Sequence, residues 1–399
     1  MKKVSCLLIA SAIILSACSN TSVDVENAEM KDTDRNLASV RKENVADTLT
    51  DSSGEEFYRS VIPYELSMSR GLTSSNMVSS YNMEDFEEGL FEISKEVYPT
   101  DQYVFREGQI MTEEMTRAYL RRQYTKEEID AMDEDELVES GAFSNLGLNP
   151  SHNGEEDPET IAKNSPLYLS HILEQNYLTV NENGDTEFEG ITFGLAMNSE
   201  HLYQKEQYGT TYSEDIDLDQ AKKEGEQMAR EILDRLRANS EYIDKTVVFA
   251  IYIQSKDTDI IPGNFVSYAV IEPGDNEISK FIEVDEKNIL LPTNNESVPE
   301  DLKANYNAFN RDLSSYFNSF TTSIGRGRLK EGKLDKLNIE IPIEYESRGE
   351  MIGLSQFAQS LVEKYFQNTN VEVKVQDKNN VYSIITSGRD GETSLYIME

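Results

Sequence analysis

The chain has 399 residues, and its 74 Asp and Glu against 37 Lys and Arg give a formal net charge of −37 at pH 7. Such an acidic protein repels nucleic acid and anionic lipid head groups, which excludes nucleic-acid binding as a main role. The 2 cysteines are Cys6 and Cys18, so the remainder of the chain has neither a disulfide nor a cysteine nucleophile.

Residues 1–17 have the pattern of a lipoprotein signal peptide. Two lysines precede an uncharged apolar run that is too short to span about 30 Å of hydrocarbon. The run ends in a lipobox with Leu15, Ser16 and Ala17 before the lipid acceptor Cys18. We therefore expect cleavage before Cys18 and a lipid-anchored protein on the extracytoplasmic face of the cell membrane. An ordinary secretory signal and an uncleaved anchor are the alternatives.

Residues 18–56 are predicted to be a disordered, acidic tether. They are polar and have no sustained apolar period, so they lack the means to bury a core. A random coil of this length reaches roughly 35 Å. The following residues are numerous enough for a large core and would ordinarily form two domains.

Residues 57–189 are predicted to be mainly helical. In "YNMEDFEEGLFEISKEVYP", Phe86, Leu90 and Ile93 recur at steps of three and four, and Pro99 ends the helix. Two shorter helices follow, "TEEMTRAYLRR" and "TKEEIDAMDEDELVES".

Capping residues define further helix starts in this region. Thr125 and Glu128 form a capping box at the start of "TKEEIDAMDEDELVES". After a loop over 146–158, a helix is predicted to begin at Ser165 with Pro166 at its first position, and it would carry His171.

Two segments of the second half share the order strand, helix, strand, strand, at 190–275 and 335–399. The predicted helices carry the apolar stripes Met228, Ile232 and Leu236, and Phe357, Leu361 and Tyr365. Alternation is clear in the strand near 373 and ambiguous near 250, where both faces are apolar. The predicted fold class is therefore α+β, a helical first part followed by two β-α-β-β modules, either copies of one unit or a coincidence of a common pattern. Pro342 predicts an edge strand or a bulge.

Residues 276–334 join the two modules and contain a predicted long amphipathic helix. Ser297 and Glu300 match a capping box. The apolar positions at helical steps are Leu302, Tyr306, Phe309, Leu313, Tyr316, Phe317 and Phe320. This stripe is either an aromatic face for a partner or membrane, or, as we favour, a face that packs between the modules.

Catalytic patterns are missing from the sequence. The histidines are His152, His171 and His201, and no two have the helical spacing of a catalytic zinc site. There is no nucleophile elbow, phosphate-binding loop or dinucleotide fingerprint, and Ser355 in "GLSQF" is predicted to cap a helix. We predict no catalytic residue, metal or cofactor. A cell-envelope hydrolase with carboxylates brought together by the fold is the alternative.

Three charged segments could bind ions or polymers. The acidic loops 152–159 and 181–190 have the oxygen ligands that calcium prefers but not the order of an EF-hand, and surface turns are favoured. Residues 325–336 are net positive and contain Arg326, Arg328, Lys330, Lys333 and Lys336. They would contact phosphate-rich polymer or lipid, or form a solvated turn, which we favour.

Several stretches resemble the CamS family of sex-pheromone lipoproteins from Firmicutes. They are "SRGLTSSNMVSSYNMEDFEEGLFEISKEVYPTDQY", "NLGLNPSHNGEEDPETIAKNSPLYLSHILEQNY", "FGLAMNS", "FAIYIQS" and "GLSQF". The resemblance runs from about Arg59 to the C-terminus and includes the lipobox leader. It implies an α+β fold with a repeated module and a lipid anchor at Cys18.

The resemblance also implies that the leader is trimmed to a mating pheromone recognised by a peptide receptor on recipient cells. The peptide "SAIILSA" would comprise Ser11, Ala12, Ile13, Ile14, Leu15, Ser16 and Ala17. The staphylococcal pattern has an aromatic residue that is missing here, which would weaken recognition by that receptor on the order of tenfold to a hundredfold. For the body we expect a non-enzymatic binding or interaction module of unknown ligand.

Overall fold

The computed structural model describes residues 44–45, 57–69, 71–72, 76–316, 322–344 and 347–398. The predicted signal peptide, the lipobox, Cys18 and most of the tether lie outside these residues. The helices of the described part are α1 (Ser80–Lys95), α2 (Glu113–Leu120), α3 (Lys126–Ala131), α4 (Glu134–Ser140), α5 (Pro158–Asn164), α6 (Leu218–Arg237), α7 (Glu300–Ser314) and α8 (Arg348–Tyr365). None of them is long and apolar enough to cross a membrane.

The strands form a large sheet, a second sheet and a hairpin. Those of the large sheet, in spatial order, are β1 (Asn44–Val45), β2 (Arg59–Ile62), β3 (Val104–Glu107), β4 (Leu169–Val180), β5 (Thr186–Met197), β8 (Thr246–Ile253), β9 (Asn264–Ile271) and β10 (Ile282–Glu283). The hairpin pairs β6 (Glu200–Gln204) with β7 (Thr211–Asp215). The second sheet contains β11 (Glu286–Leu291), β12 (Ile324–Lys330), β13 (Lys333–Pro342), β14 (Asn370–Gln376), β15 (Val381–Ser387) and β16 (Thr393–Ile397) in that order. The fold is thus a mixture of helices and sheets, as predicted.

The predicted helical region 57–189 is less helical than expected. It contributes β2, β3, β4 and the start of β5 to the large sheet, and the predicted helix from Ser165 is wrong. Ser165 instead ends α5, and His171 lies in β4. Most of β4 is buried on both faces, so its sequence has no strand alternation to distinguish it from a helix. The capping box of Thr125 and Glu128 is confirmed at α3.

Helices cover both faces of the large sheet. On one face Met228, Ile232 and Leu236 of α6 pack in a core with alternate residues of β5 and β8. On the other face Phe86 and Leu90 of α1 pack against the intervening residues of β8. The lack of clear alternation near residue 250 therefore has a structural cause. Strand β8 is a central strand parallel to β5, and both of its faces are buried.

Helices α7 and α8 both pack on the same face of the second sheet. Buried residues of α7 and α8 share a single core with the alternate residues Leu337, Ile339 and Ile341 of β13 and with Val373 of β14. The other face is polar and partly exposed. In both sheets the strand before the long helix pairs in parallel with the strand after it, and the next strand pairs antiparallel.

The strand that contains Pro342 is not an edge strand, but it does carry an irregularity, since the register between β12 and β13 shifts between Arg328 and Leu329. Pro342 is the last residue of β13, which pairs with β12 on one side and β14 on the other. A proline is tolerated there because the ladder ends at that point.

Two predicted helix starts are also wrong. The predicted capping box at Ser297 is not formed, since α7 begins at Glu300 after Pro299 without a side-chain cap. Ser355 is buried in the middle of α8, which begins after the N-cap Ser347. The stripe of α7 does not pack between the two modules, as was favoured, but in the core of the second sheet together with α8. Phe317 and Phe320 lie outside the described residues.

Candidate binding cleft between the two sheets

Helix α1 separates the two sheets. Its N-terminus is fixed by Ser79, whose side chain accepts a hydrogen bond from the Asn82 backbone N–H at 3.2 Å. One side of the helix packs on the large sheet. At Gly89 a Cβ atom would lie 2.6 Å from the Phe265 ring, so only glycine permits this close approach. The acidic side of α1 consequently faces the polar face of the second sheet.

An inner pocket of about 130 Å³ lies between α1 and the second sheet. Its walls differ in character. One wall has the carboxylates Glu84, Asp85 and Glu88, the opposite wall has the cations Arg326, Arg328 and Lys336, and an apolar loop supplies Ile260, Ile261 and Pro262. The pocket therefore offers both charges and an apolar surface within a small volume.

Asn288 of β11 connects the two halves of the molecule at this pocket. Its Nδ2 donates to Asp85 Oδ2 at 3.0 Å and to the Gly263 carbonyl at 2.7 Å, and its backbone N–H donates to Asn264 Oδ1 at 2.6 Å. Burial raises the pKa of Asp85 to about 6, although Asn288 and the Arg328 charge act in the opposite direction. Asp85 is thus partly protonated near pH 6.

Asn82 of α1 also fixes the apolar loop, through hydrogen bonds to its side chain. Its Oδ1 accepts hydrogen bonds from the backbone N–H groups of Gly263 at 2.8 Å and Ser255 at 3.0 Å, and from the Tyr252 hydroxyl at 3.2 Å. The loop that contains Ile260 and Pro262 is therefore anchored to α1 as well as to β11, which gives the pocket a preformed apolar wall.

The two arginines of β12 carry donors that are not satisfied. Arg326 forms an ion pair with Glu340 and lies 5.3 Å from the Tyr81 ring centroid, and Arg328 is 3.4 Å from Asp335. Within the described residues the Nε atoms of both arginines are buried without a hydrogen-bond partner. Leaving a buried donor unsatisfied costs about 1–3 kcal/mol.

The charges of Arg328 and Glu88 are both favoured by their surroundings. Burial lowers the pKa of Arg328, but the carboxylates around it, Glu286 first among them, outweigh that effect and raise it. Burial likewise raises the pKa of Glu88, but Lys336 outweighs it and the pKa is lowered. Glu88 and Asp85 thus differ in pKa although they are one helical turn apart.

An outer cleft of about 690 Å³ adjoins the inner pocket. The two cavities share Glu88, Arg328 and Lys336 as lining residues. Lys336 spans the junction with an ion pair to Glu88 at 2.5 Å, and Lys330 lies 3.9 Å from Glu96. Among the lining residues, 8 carboxylates face 5 cations. The outer cleft is therefore of ligand-binding size and, unlike the balanced inner pocket, net acidic.

The sequence suggested that the basic segment 325–336 is a solvated turn, and this prediction is wrong. The segment forms most of β12 and the start of β13, and the turn between them is limited to Glu331 and Gly332. Arg326, Arg328 and Lys336 point into the cleft opposite α1.

The histidines do not form a site. His171 is buried in β4, and burial lowers its pKa to about 4. His201 of β6 accepts the Leu167 backbone N–H at 2.8 Å, and His152 lies in the turn before α5. Within the described residues no group of three or more His, Cys, Asp or Glu side chains could hold a metal.

The two acidic loops form hydrogen-bonded surface turns. In the first, Asp157 caps α5 by accepting the Thr160 backbone N–H at 2.9 Å. In the second, Asn181 accepts the backbone N–H groups of Asn183 and Asp185 in the turn between β4 and β5. The side-chain oxygens of Asp157 and Asn181 thus already satisfy local backbone donors, and residues 186–190 of the second predicted loop belong to β5.

The sequence did not reveal the residues that build the cleft. Asp85 and Asn82 are single polar residues in a helix predicted from its apolar positions, and the strand that contains Asn288 was not predicted. A usable signal was present in the acidic side of "EDFEEGLFEISKE" together with the alternating cations of "GRGRLK". Only the tertiary fold brings these two stretches together.

The cleft lies in the part of the chain that matches a known family. The model of the CamS sex pheromone cAM373 precursor family matches residues 64–392. The chain belongs to the CamS family. The resemblance identified in the sequence is therefore confirmed. No curated protein matches the chain.

Two solved structures are similar to this CamS-family chain. The C-terminal domain of the sex pheromone staph-cAM373 precursor from Staphylococcus aureus is 39% identical and covers 81% of this chain and 98% of its own, with a TM-score of 0.73. The sex pheromone precursor from Lactobacillus salivarius is 27% identical and covers 88% of this chain and 98% of its own, with a TM-score of 0.76. Neither these descriptions nor that of the family names an enzymatic activity.

Proposed function

We propose that this chain is a membrane-anchored, extracytoplasmic lipoprotein whose body binds a ligand in the cleft between the two sheets without transforming it. The observation that carries the binding role is the preformed cleft itself, with an inner pocket of about 130 Å³ and an outer cleft of about 690 Å³. Small-molecule sites in proteins are concave and largely preformed, with a few convergent polar groups on apolar walls.

A single-cysteine reporter tests the binding role. The mature chain, residues 18–399 with Cys18→Ser, has no other cysteine, so Asn370→Cys at the rim of the outer cleft accepts one environment-sensitive fluorophore. Asp219→Cys on α6 is the matched control on the far side of the large sheet. Free amino acids, tripeptides, hexoses, sugar phosphates and spermidine are the probes. A saturable fluorescence change is expected for Asn370→Cys and not for Asp219→Cys. The absence of a change with every probe would contradict the binding role.

The membrane anchor rests on the lipobox residues Leu15, Ser16 and Ala17 before Cys18. Labelling cells with radioactive palmitate is expected to mark the protein, and Cys18→Ala is expected to abolish both the label and membrane retention. A Cys18→Ala chain that remains labelled and membrane-bound would contradict the anchor.

The leader is proposed to be a pheromone precursor, in keeping with the family description. The peptide "SAIILSA", residues 11–17, would act on a peptide receptor of recipient cells. Applied at micromolar concentration to plasmid-bearing cells, it is expected to cause clumping. If the cells do not clump, the family name describes ancestry and not the action of this leader.

The two long helices with their flanking strands are proposed to be copies of one β-α-β-β module. The support is the shared order of pairing, parallel across the helix and then antiparallel, around α6 in the large sheet and α8 in the second. Superposition of the two units with their strands in this order is expected to align both helices on the same face.

One observation favours an alternative function, an envelope hydrolase. Asp85, with a pKa raised by burial to about 6, and Glu88, with a lowered pKa, are two carboxyl groups whose pKa values are shifted in opposite directions in one pocket. General acid–base catalysis uses such pairs. Release of products from envelope polysaccharide that depends on Asp85, and is lost in Asp85→Asn, would favour the enzyme over the binding module.

A further inference from the structure

The cationic wall of the inner pocket suits the carboxylate of a ligand. Arg326 and Arg328 face Asp85 and Glu88 across the pocket, and the anchored apolar loop closes a third side. The Nε donors of both arginines have no hydrogen-bond partner in the described part of the chain. A carboxylate is the acceptor that guanidinium groups bind best, since two parallel hydrogen bonds form. A small shift of either side chain would present Nε to such a group.

The size of the inner pocket suits one residue. Its volume of about 130 Å³ is close to that of a cavity, roughly 150 Å³, that binds benzene. A ligand whose carboxylate binds Arg326 and Arg328 would place a small apolar side chain against the loop that contains Ile260 and Pro262. The carboxyl-terminal residue of a peptide has this combination of groups.

The outer cleft can hold the remainder of such a peptide. From Asp85 to Glu96 the helix α1 rises about 17 Å, which is the extended length of roughly five residues. At that end the lining carries Glu92 and Glu96, within a cleft in which carboxylates outnumber cations by 8 to 5. A free amino terminus is cationic and would be attracted to this end.

We propose that the cleft binds a short apolar peptide with two free termini, with its carboxylate at Arg326 and Arg328 and its ammonium group near Glu92 and Glu96. The proposal rests on the binding role proposed above and names the ligand class. The released leader segment Ser11–Ala17, "SAIILSA", is uncharged between its termini. It would be produced once for each anchored body and at the same membrane surface. Its seven residues exceed the roughly five-residue span along α1 when fully extended, so its backbone would bind in a bent form between Arg328 and Glu96.

Isothermal titration calorimetry with the mature chain, residues 18–399 with Cys18→Ser, tests this. The probes are "SAIILSA", its carboxyl-terminal amide, its N-acetyl form and the scrambled peptide "ISLASIA". We expect the amide to bind at least tenfold more weakly than the free acid, and the N-acetyl form several-fold more weakly. Arg328→Gln is expected to reproduce the loss, whereas Lys374→Gln, on the same sheet but outside the cleft lining, is expected to bind normally.

Each result decides one point. Equal affinity of the acid and the amide would overturn the proposal, and this comparison does not depend on the folding of any variant. Equal affinity of the scrambled peptide would support the apolar-peptide class and reject the leader as its particular source. If no peptide binds while the Asn370→Cys reporter responds to another probe, the peptide proposal fails and the binding cleft stands; if the reporter is silent too, both fail.

Discussion

The two sheets bury their faces differently, and the site follows from that difference. The large sheet is covered by α6 on one face and by α1 on the other, so every residue of its central strand β8 after Thr246 is buried. The second sheet is covered by α7 and α8 on one face only, and its other face keeps alternating polar residues. Because α1 lies over that polar face as well, a charged cleft forms where the second sheet has no helix of its own.

The largest expected effect comes from the doubly covered sheet. Phe249 of β8 is fully buried and stacks on Phe193 at a centroid distance of 5.3 Å. Phe249→Ala is expected to lower the free energy of unfolding by about 3–5 kcal/mol. Lys374→Ala, on the polar face of the second sheet, is the control and should change it by less than about 0.5 kcal/mol. Urea denaturation followed by circular dichroism measures both, and comparable losses would contradict the contrast between the sheets.

A pH-dependent effect is expected at Asp85. Because burial raises its pKa from 3.8 to about 6, the folded state binds more protons than the unfolded state between these values, and stability falls as the pH rises through this window. Asp85→Asn is expected to remove that loss and to stabilise the protein at pH 8 by on the order of 2 kcal/mol, with little gain at pH 3.5. Unfolding curves at the two pH values check this, and an equal gain at both would exclude the protonation mechanism.

Gly89→Ala should move α1 away from the large sheet. The new Cβ would lie 2.6 Å from the buried Phe265 ring, and the expected loss is about 1–3 kcal/mol, despite the better helix propensity of alanine. Gly349→Ala in α8 is the matched control. A Cβ there meets nothing within 4 Å, so a gain of up to about 1 kcal/mol is expected. Thermal unfolding of the two variants should give shifts of opposite sign, and shifts of the same sign would argue against a close approach at Gly89.

The smallest effect is expected at the ion pair that crosses the cleft. Lys336 and Glu88 are both partly exposed, so their coupling in a double-mutant cycle with alanine should be about 0.5–1 kcal/mol and should fall at high salt. The control is the ion pair of Lys374 and Glu372, which are 2.8 Å apart. Both residues lie in β14, so this pair does not cross the cleft. A coupling that does not change with salt would mean that the pair does not hold the two halves by charge.

The sequence predicted those helices and strands in which apolar residues recur on one face and polar residues occupy the other. Helices α1, α6 and α8 and the strand β14 each combine an apolar stripe or clean alternation with a polar remainder, and all were found. The strand β4 was missed because burial on both faces removes the alternation. Local rules also misplaced the start of α7, where Ser297 and Glu300 match a capping box that the chain does not form.

The site was harder to predict than the fold, for a related reason. Cleft residues such as Asp85 and Asn288 can be recognised only from their tertiary contacts, because their partners lie on other elements of the fold. The cations of segment 325–336 were noted as unusual in an acidic chain, but the sequence does not indicate that β12 places Arg326 and Arg328 opposite α1. From the sequence a solvated turn was favoured for this segment, and only the fold shows that its cations face the acidic side of α1.

The position of α1 between the sheets also constrains how the family can diverge. Residues on its apolar side, such as Phe86, pack with the large sheet, whereas Glu88 pairs with Lys336, which is 248 positions away in the chain. One helix thus has two separate sets of partners. A charge reversal at Glu88 in a relative would be expected to appear with a reversal at the position of Lys336, with no accompanying change in the large sheet.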